Sequence, residues 1–144
     1  MTTMAISDAL YDELVGILGS DGVLTGKSAR WNRTRTPAPF PVHRWREYVP
    51  DVVVLPRTTE EVAEIVRLAN RTGTAVVPRA AGTGLTDGAT PLRGGILLDV
   101  KRMNEIREID LVDRTVTVQP GLNMLKLNEV LQPHGVMFPD NPAS

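Results

Sequence analysis

The segment 78-PRAAGTGLTDGATPLRGG-95 sets Gly82, Gly84 and Gly88 beside Thr83 and Thr86, between the apolar runs 75-AVV-77 and 96-ILL-98. Glycine tolerates positive φ and admits close approach, so successive backbone N–H groups in such a loop can converge on an anion. Arg79 stands at the mouth of the loop, and the threonine hydroxyls are further donors. On loop chemistry alone, a glycine-rich surface turn between two strands is an equal reading. A dinucleotide-binding Rossmann turn is not: it needs G-x-G-x-x-G opening a helix. Here one residue too many separates Gly84 from Gly88, and a strand follows instead of a helix. Upstream, 22-GVLTGKS-28 imitates a phosphate-binding P-loop but has three residues between its glycines where four are required. It reads as a helix exit and a polar turn.

The flanks of the glycine segment give the architecture. The run 52-VVVL-55, ended by Pro56, has the pattern of a buried strand. Thr58 with Glu61 three residues on makes a capping box, Val62, Ile65, Val66 and Ala69 form an apolar helical face, and Gly73 closes it. Residues 52–77 are therefore expected to form one β-α-β unit with parallel strands. Residues 96–100, 106–110 and 115–118 read as short strands, and Met124, Leu127, Val130 and Leu131 mark a closing helix. At the other end, Leu10, Leu14, Ile17 and Leu18 mark a helix between Ser7 and Gly19. Residues 21–50 contain Pro37, Pro39, Pro41 and Pro50, lack a period and read as an extended connection. This order predicts an α+β fold, a β-α-β unit followed by a small mixed sheet with flanking helices. It divides into residues 1–50, a helix with a Pro/Arg-rich arm, and residues 51–144, the main domain.

Composition removes several functions. With no cysteine and only two histidines, disulfides, thiolate chemistry and a histidine metal cage are not expected. A net charge of −1 gives no general attraction to nucleic acid or anionic membrane. No apolar run approaches the roughly 18 residues of a membrane span, so a cytoplasmic protein without a transmembrane segment is expected. Between Lys27 and Arg46, basic residues alternate with Trp31, Phe40 and Trp45, a pattern that can hold single-stranded nucleic acid. The near-neutral chain favours an arm that packs its tryptophans and keeps its arginines wet. Glu60 and Glu61 sit at a helix start, where acids favour the dipole, and no catalytic residue is assigned.

Taken in order, 79-RAAGTGLTDGA-89, 118-VQPG-121 and 139-PDNPAS-144 resemble landmarks of the FAD-linked oxidases of the vanillyl-alcohol oxidase type. The likeness is strongest to the flavin subunit of glycolate oxidase and to D-2-hydroxyacid (D-lactate type) dehydrogenases, and it covers Pro50 to Ser144. In that family a segment like R-G-A-G-T-G-L-S-G-G-A wraps the FAD diphosphate. The resemblance implies that Arg79, Ala81, Gly82, Thr83, Gly84, Leu85, Thr86 and Gly88 bind the cofactor, together with Gly121, Pro139, Asn141 and Ser144. Some members attach FAD covalently through a histidine where Thr83 stands, so noncovalent FAD is implied here. Ala80 and Asp87 each replace a glycine of the family pattern; the first is harmless only at negative φ, and the second brings a carboxylate to a phosphate loop. Asp140-Asn141 also stands where the family has Pro-Asp.

The family's chains continue into a second FAD segment and a substrate domain. By resemblance, residues 51–144 are the first half of the flavin domain, truncated before those parts or completed by a second chain. The complete enzyme is expected to oxidise a small 2-hydroxyacid by hydride transfer to FAD. The alternative is a noncatalytic module that keeps the fold and acts by binding a partner chain.

Overall fold

A computed structural model describes residues 6–35 and 47–139. Helix α1 (Asp8–Leu18) begins at Ser7, whose hydroxyl accepts from the Leu10 N–H, and ends at Gly19. A two-residue strand β1 (Val23–Leu24) and a short helix α2 (Lys27–Trp31) follow. Part of the expected extended connection, and of the P-loop look-alike, is thus ordered into elements too short to show a period.

Strand β2 (Val52–Val54) leads to α3 (Thr59–Thr72), opened by the expected capping box: Thr58 Oγ1 accepts from the Glu61 N–H at 3.1 Å, and the Glu61 carboxylate accepts from the Thr58 N–H at 3.4 Å. Gly73, at φ 66°, closes α3 in the left-handed conformation. Strand β3 (Val76–Arg79) completes the β-α-β unit. After the glycine loop come β4 (Ile96–Asp99), β5 (Ile106–Asp110), β6 (Thr115–Val118) and α4 (Met124–Leu131).

The principal sheet has the order β1-β2-β4-β3, with β1 antiparallel and the others parallel. The two strands of the β-α-β unit are parallel but not adjacent, because β4 lies between them. Gly95 makes that insertion possible. Its carbonyl accepts from the Asp51 N–H at 2.9 Å and its own N–H donates to Asp51 Oδ2 at 2.7 Å, while a Cβ on it would lie 2.4 Å from the Ala75 carbonyl oxygen. Only a residue without a side chain fits there, and at φ 78° glycine also avoids strain.

Val52, Val54, Ile96 and Leu98 pack with Leu10, Leu14 and Leu18 of α1 and Ile65, Leu68 and Ala69 of α3 in one core. Val53 and Leu97 point to the other face and are also fully buried. Burial on both faces explains why these strands read as unbroken apolar runs. Strands β5 and β6 form a separate antiparallel pair. Buried Gln119 ties it to the body: its Oε1 accepts from the Glu105 N–H at 3.0 Å and its Nε2 donates to the Arg57 carbonyl at 3.4 Å.

Asp21, just before β1, accepts from Arg102 at 2.9 Å and Arg57 at 2.8 Å. These two hydrogen bonds, that of Arg102 first, hold its carboxyl below the ordinary value. A depressed folded-state pKa contributes stability above the unfolded carboxylate value and loses it as pH falls through the folded one. Asp21→Asn is therefore expected to lower Tm slightly at neutral pH. The difference from the parent should shrink when Tm is measured at successively lower pH below about 4.

Candidate functional site

The parallel strands β3 and β4 end at Arg79 and Asp99, and an open cleft of about 560 Å³ lies beyond them. Clefts at the carboxyl ends of parallel strands are where such sheets bind ligands, because connections diverge there. One wall is Asn32 and Arg33, just after α2; another is Ala80, Ala81 and Lys101; a third is the turn 120–123 entering α4. That turn is held in place because the Gly121 N–H donates to the Met103 carbonyl at 2.8 Å. Asn123 caps α4, its Oδ1 accepting from the Leu125 N–H at 2.8 Å, so the positive end of the helix dipole belongs to the cleft.

Arg79 is the unusual group. It is only 9% exposed, its Nη2 donates to the Arg35 carbonyl at 2.8 Å, and its Nη1 is buried without a partner. Burial pulls the guanidinium below its ordinary pKa, with Asp99 opposing and Arg33 adding to the shift. Around the cleft Arg33, Arg79 and Lys101 stand against the single carboxylate of Asp99. An orphaned, desolvated donor in a cationic cleft fits an anionic ligand, which would satisfy the donor and offset its desolvation. The diphosphate of FAD has that chemistry.

Gly82, at φ 72°, lies flat against Arg79: a Cβ there would meet the guanidinium carbon at 2.1 Å. Beyond it, Thr83, Gly84, Leu85, Thr86 and Gly88 are exposed, with Leu85 at 70%. Arg79, Ala81 and Gly121 therefore line the cleft, Gly82 backs it, and the rest of the loop runs outward from it. Pro139 is exposed and outside the cleft lining, on a tail held to α4 by Asn128, whose Oδ1 accepts from the Phe138 N–H at 2.7 Å. Asn141 and Ser144 lie outside the described residues, as do Phe40 and Trp45.

Both departures from the family pattern are accommodated. Ala80 is not at positive φ, so its methyl group carries no backbone strain. Asp87 takes φ 58°, the conformation that glycine would adopt without cost, and its Oδ1 accepts from the Thr90 hydroxyl at 3.3 Å. That turn is closed by the Thr90 N–H donating to the Asp87 carbonyl at 2.9 Å.

Sequence reasoning missed Asn32, Arg33, Asp99, Lys101 and Asn123. Arg33 had been expected to stay wet, but its Nε donates to Asp99 Oδ2 at 2.7 Å, and the two side chains are 13% and 5% exposed. An aspartate closing the buried run 96-ILLD-99 was the available signal, since a carboxylate that deep requires a partner. Among the described residues no cluster of His, Asp and Glu could hold a metal ion, and no helix is long and apolar enough to cross a membrane.

Residues 50–144 match a family model described as an FAD binding domain. The chain is 34% identical over 128 residues to a probable mitochondrial D-lactate dehydrogenase of Danio rerio, covering 89% of this chain and 25% of that protein. It is 41% identical over 95 residues to the glycolate oxidase subunit GlcD of Escherichia coli K12, covering 66% of this chain and 19% of that protein. Among solved structures it resembles an alkyldihydroxyacetonephosphate synthase at TM-score 0.87 and 25% identity, over 99% of this chain and 28% of that one. The likeness to p-cresol methylhydroxylase, at TM-score 0.77 and 21% identity over 90% of this chain and 26% of that one, is one of fold. The chain thus spans about a quarter or less of the length of these relatives.

Proposed function

Because this chain belongs to the FAD-binding domain family of flavin-linked oxidases of the vanillyl-alcohol oxidase type, we propose that its cleft holds the FAD diphosphate noncovalently, in an oxidoreductase acting on a small 2-hydroxyacid. The observation that carries this reading is the buried, unpartnered Nη1 of Arg79 in a cleft where cations outnumber carboxylates. Arg79 donates to the diphosphate, Gly82 leaves room for the guanidinium, and the backbone of the loop from Ala81 to Gly88 follows the cofactor outward. The start of α4, beyond the turn at Gly121, turns the positive end of its helix dipole toward the opposite wall. Thr83 lacks a nucleophilic imidazole, so no covalent link forms there. When bound, FAD supplies the acceptor for the hydride that leaves the hydroxyacid carbon.

None of the described residues is assigned to holding the hydroxyacid or taking its proton, and the chain spans a quarter or less of the relatives from which the substrate class is taken. The 2-hydroxyacid class rests on the likeness to D-lactate dehydrogenase and the glycolate oxidase subunit, and the protein is assigned to the cytoplasm.

Titrating FAD into the purified chain, followed by flavin fluorescence and thermal unfolding, tests the reading. Saturable quenching is expected, with Tm rising as ligand concentration passes Kd, since a ligand bound only by the folded state stabilises it. Unchanged fluorescence and Tm at FAD concentrations far above the micromolar range would sink it.

A further inference from the structure

Arg79 and Asp99 are register partners on adjacent parallel strands, and both are buried. Opposite charges so placed in a low-dielectric setting are natural partners for each other. No hydrogen bond or ion pair joins them. Both are claimed by the segment that follows α2: Arg33 Nε donates to Asp99 Oδ2 at 2.7 Å, and the Arg35 carbonyl accepts from Arg79 Nη2 at 2.8 Å. Arg33 is itself fixed, its Nη1 donating to the Ala29 carbonyl at 2.9 Å. The other Asp99 oxygen accepts from the Lys101 N–H at 3.2 Å, and Lys101 Nζ lies 3.8 Å from Oδ2. The carboxylate is occupied on both oxygens, and Arg79 Nη1 has no partner.

We propose that Arg33 is a positioning residue: by occupying the Asp99 carboxylate it prevents the cross-strand ion pair that would otherwise consume Arg79, and so keeps Arg79 Nη1 available to the anion in the cleft. The inference rests on the flavin reading above. It concerns a residue that precedes the part of the chain matched by the family model. A function of the glycine loop thereby depends on a short helix distant from it in sequence.

The test is a double-substitution cycle read by FAD affinity of the full chain. Arg33→Ala frees Asp99 to draw Arg79 away, and FAD Kd is expected to rise about 10-fold or more, the worth of a hydrogen bond to a charged group. Adding Asp99→Asn removes the competing carboxylate while keeping an acceptor for the Lys101 N–H, and most of the lost affinity is expected to return. Arg33→Met, which fills similar space but offers Asp99 no donor, provides the same cycle if the alanine variant does not fold. A double variant as weak as its Arg33 single variant overturns the proposal, because Arg33 would then touch the ligand itself. A fall in Tm with unchanged Kd overturns it as well, leaving Arg33 a purely structural role. If the parent chain binds no FAD, the flavin reading falls and the inference with it. If the parent binds and the cycle shows no coupling, the inference alone is lost.

Discussion

Arg79→Met is expected to weaken FAD binding by about 100-fold while leaving the ligand-free protein nearly as stable as the parent. The affinity loss follows from removing a charge-assisted donor in a desolvated setting, worth up to about 3 kcal/mol. The stability expectation follows from what the side chain costs when no ligand is present. Arg79 is buried with Nη1 unpaired, and one carbonyl is its hydrogen-bonded partner. Removing a buried charge that has no ion-pair partner relieves its desolvation, and Asp99 keeps Arg33 and Lys101. Calorimetric Kd beside Tm without ligand separates the two effects. A Met variant that binds FAD as the parent does would remove Arg79 from the site.

The second large effect is expected at Gly121, for a reason unrelated to backbone freedom. Its Cα faces the end of β4 so closely that a Cβ would sit 2.1 Å from the Val100 carbonyl oxygen and 2.8 Å from the Lys101 Cα. Both obstacles are backbone, so neither can rotate away. Gly121→Ala must push the turn 120–123 outward, lengthening the hydrogen bond from the Gly121 N–H to the Met103 carbonyl and opening the cleft wall. A loss of about 3 kcal/mol or more in denaturant unfolding is expected. Gly84→Ala is the control, since nothing lies within 4 Å of its added Cβ and its effect should stay within about 0.5 kcal/mol. Equal stability of the two variants would show that the close approach at Gly121 is not there.

Much of the scaffold was legible because its signals are local. The capping box at Thr58 and Glu61, the stop at Gly73 and the apolar runs of β2 and β4 each declare themselves within a few residues. What sequence could not convey was adjacency. Nothing in 76-VVPR-79 says that its neighbour is β4 and not β2, because a crossover helix can place the returning strand one position away or two. Gly95, which fixes the choice, gives no sign in the sequence of its close approach to the Ala75 carbonyl.

The site was legible in part, along the same division. The glycine loop announced itself by composition, and Arg79 by its position at the loop's mouth. Arg33 and Asp99 did not, because they are brought together across 66 residues by elements that carry no period of their own. The five residues of α2 are too few for an amphipathic pattern. Asp87 shows the converse: its sequence raised a conflict with phosphate, and only the structure shows the carboxylate engaged by Thr90 within its own turn.

The most direct measurement of the central claim is competition for the cleft once FAD is bound. If the chain holds the diphosphate, ADP, which carries the diphosphate without the flavin ring, should displace FAD and restore its fluorescence, and riboflavin, which carries the ring without phosphate, should not. Displacement by riboflavin with no effect of ADP would contradict the assignment and place the contacts of this chain on the ring.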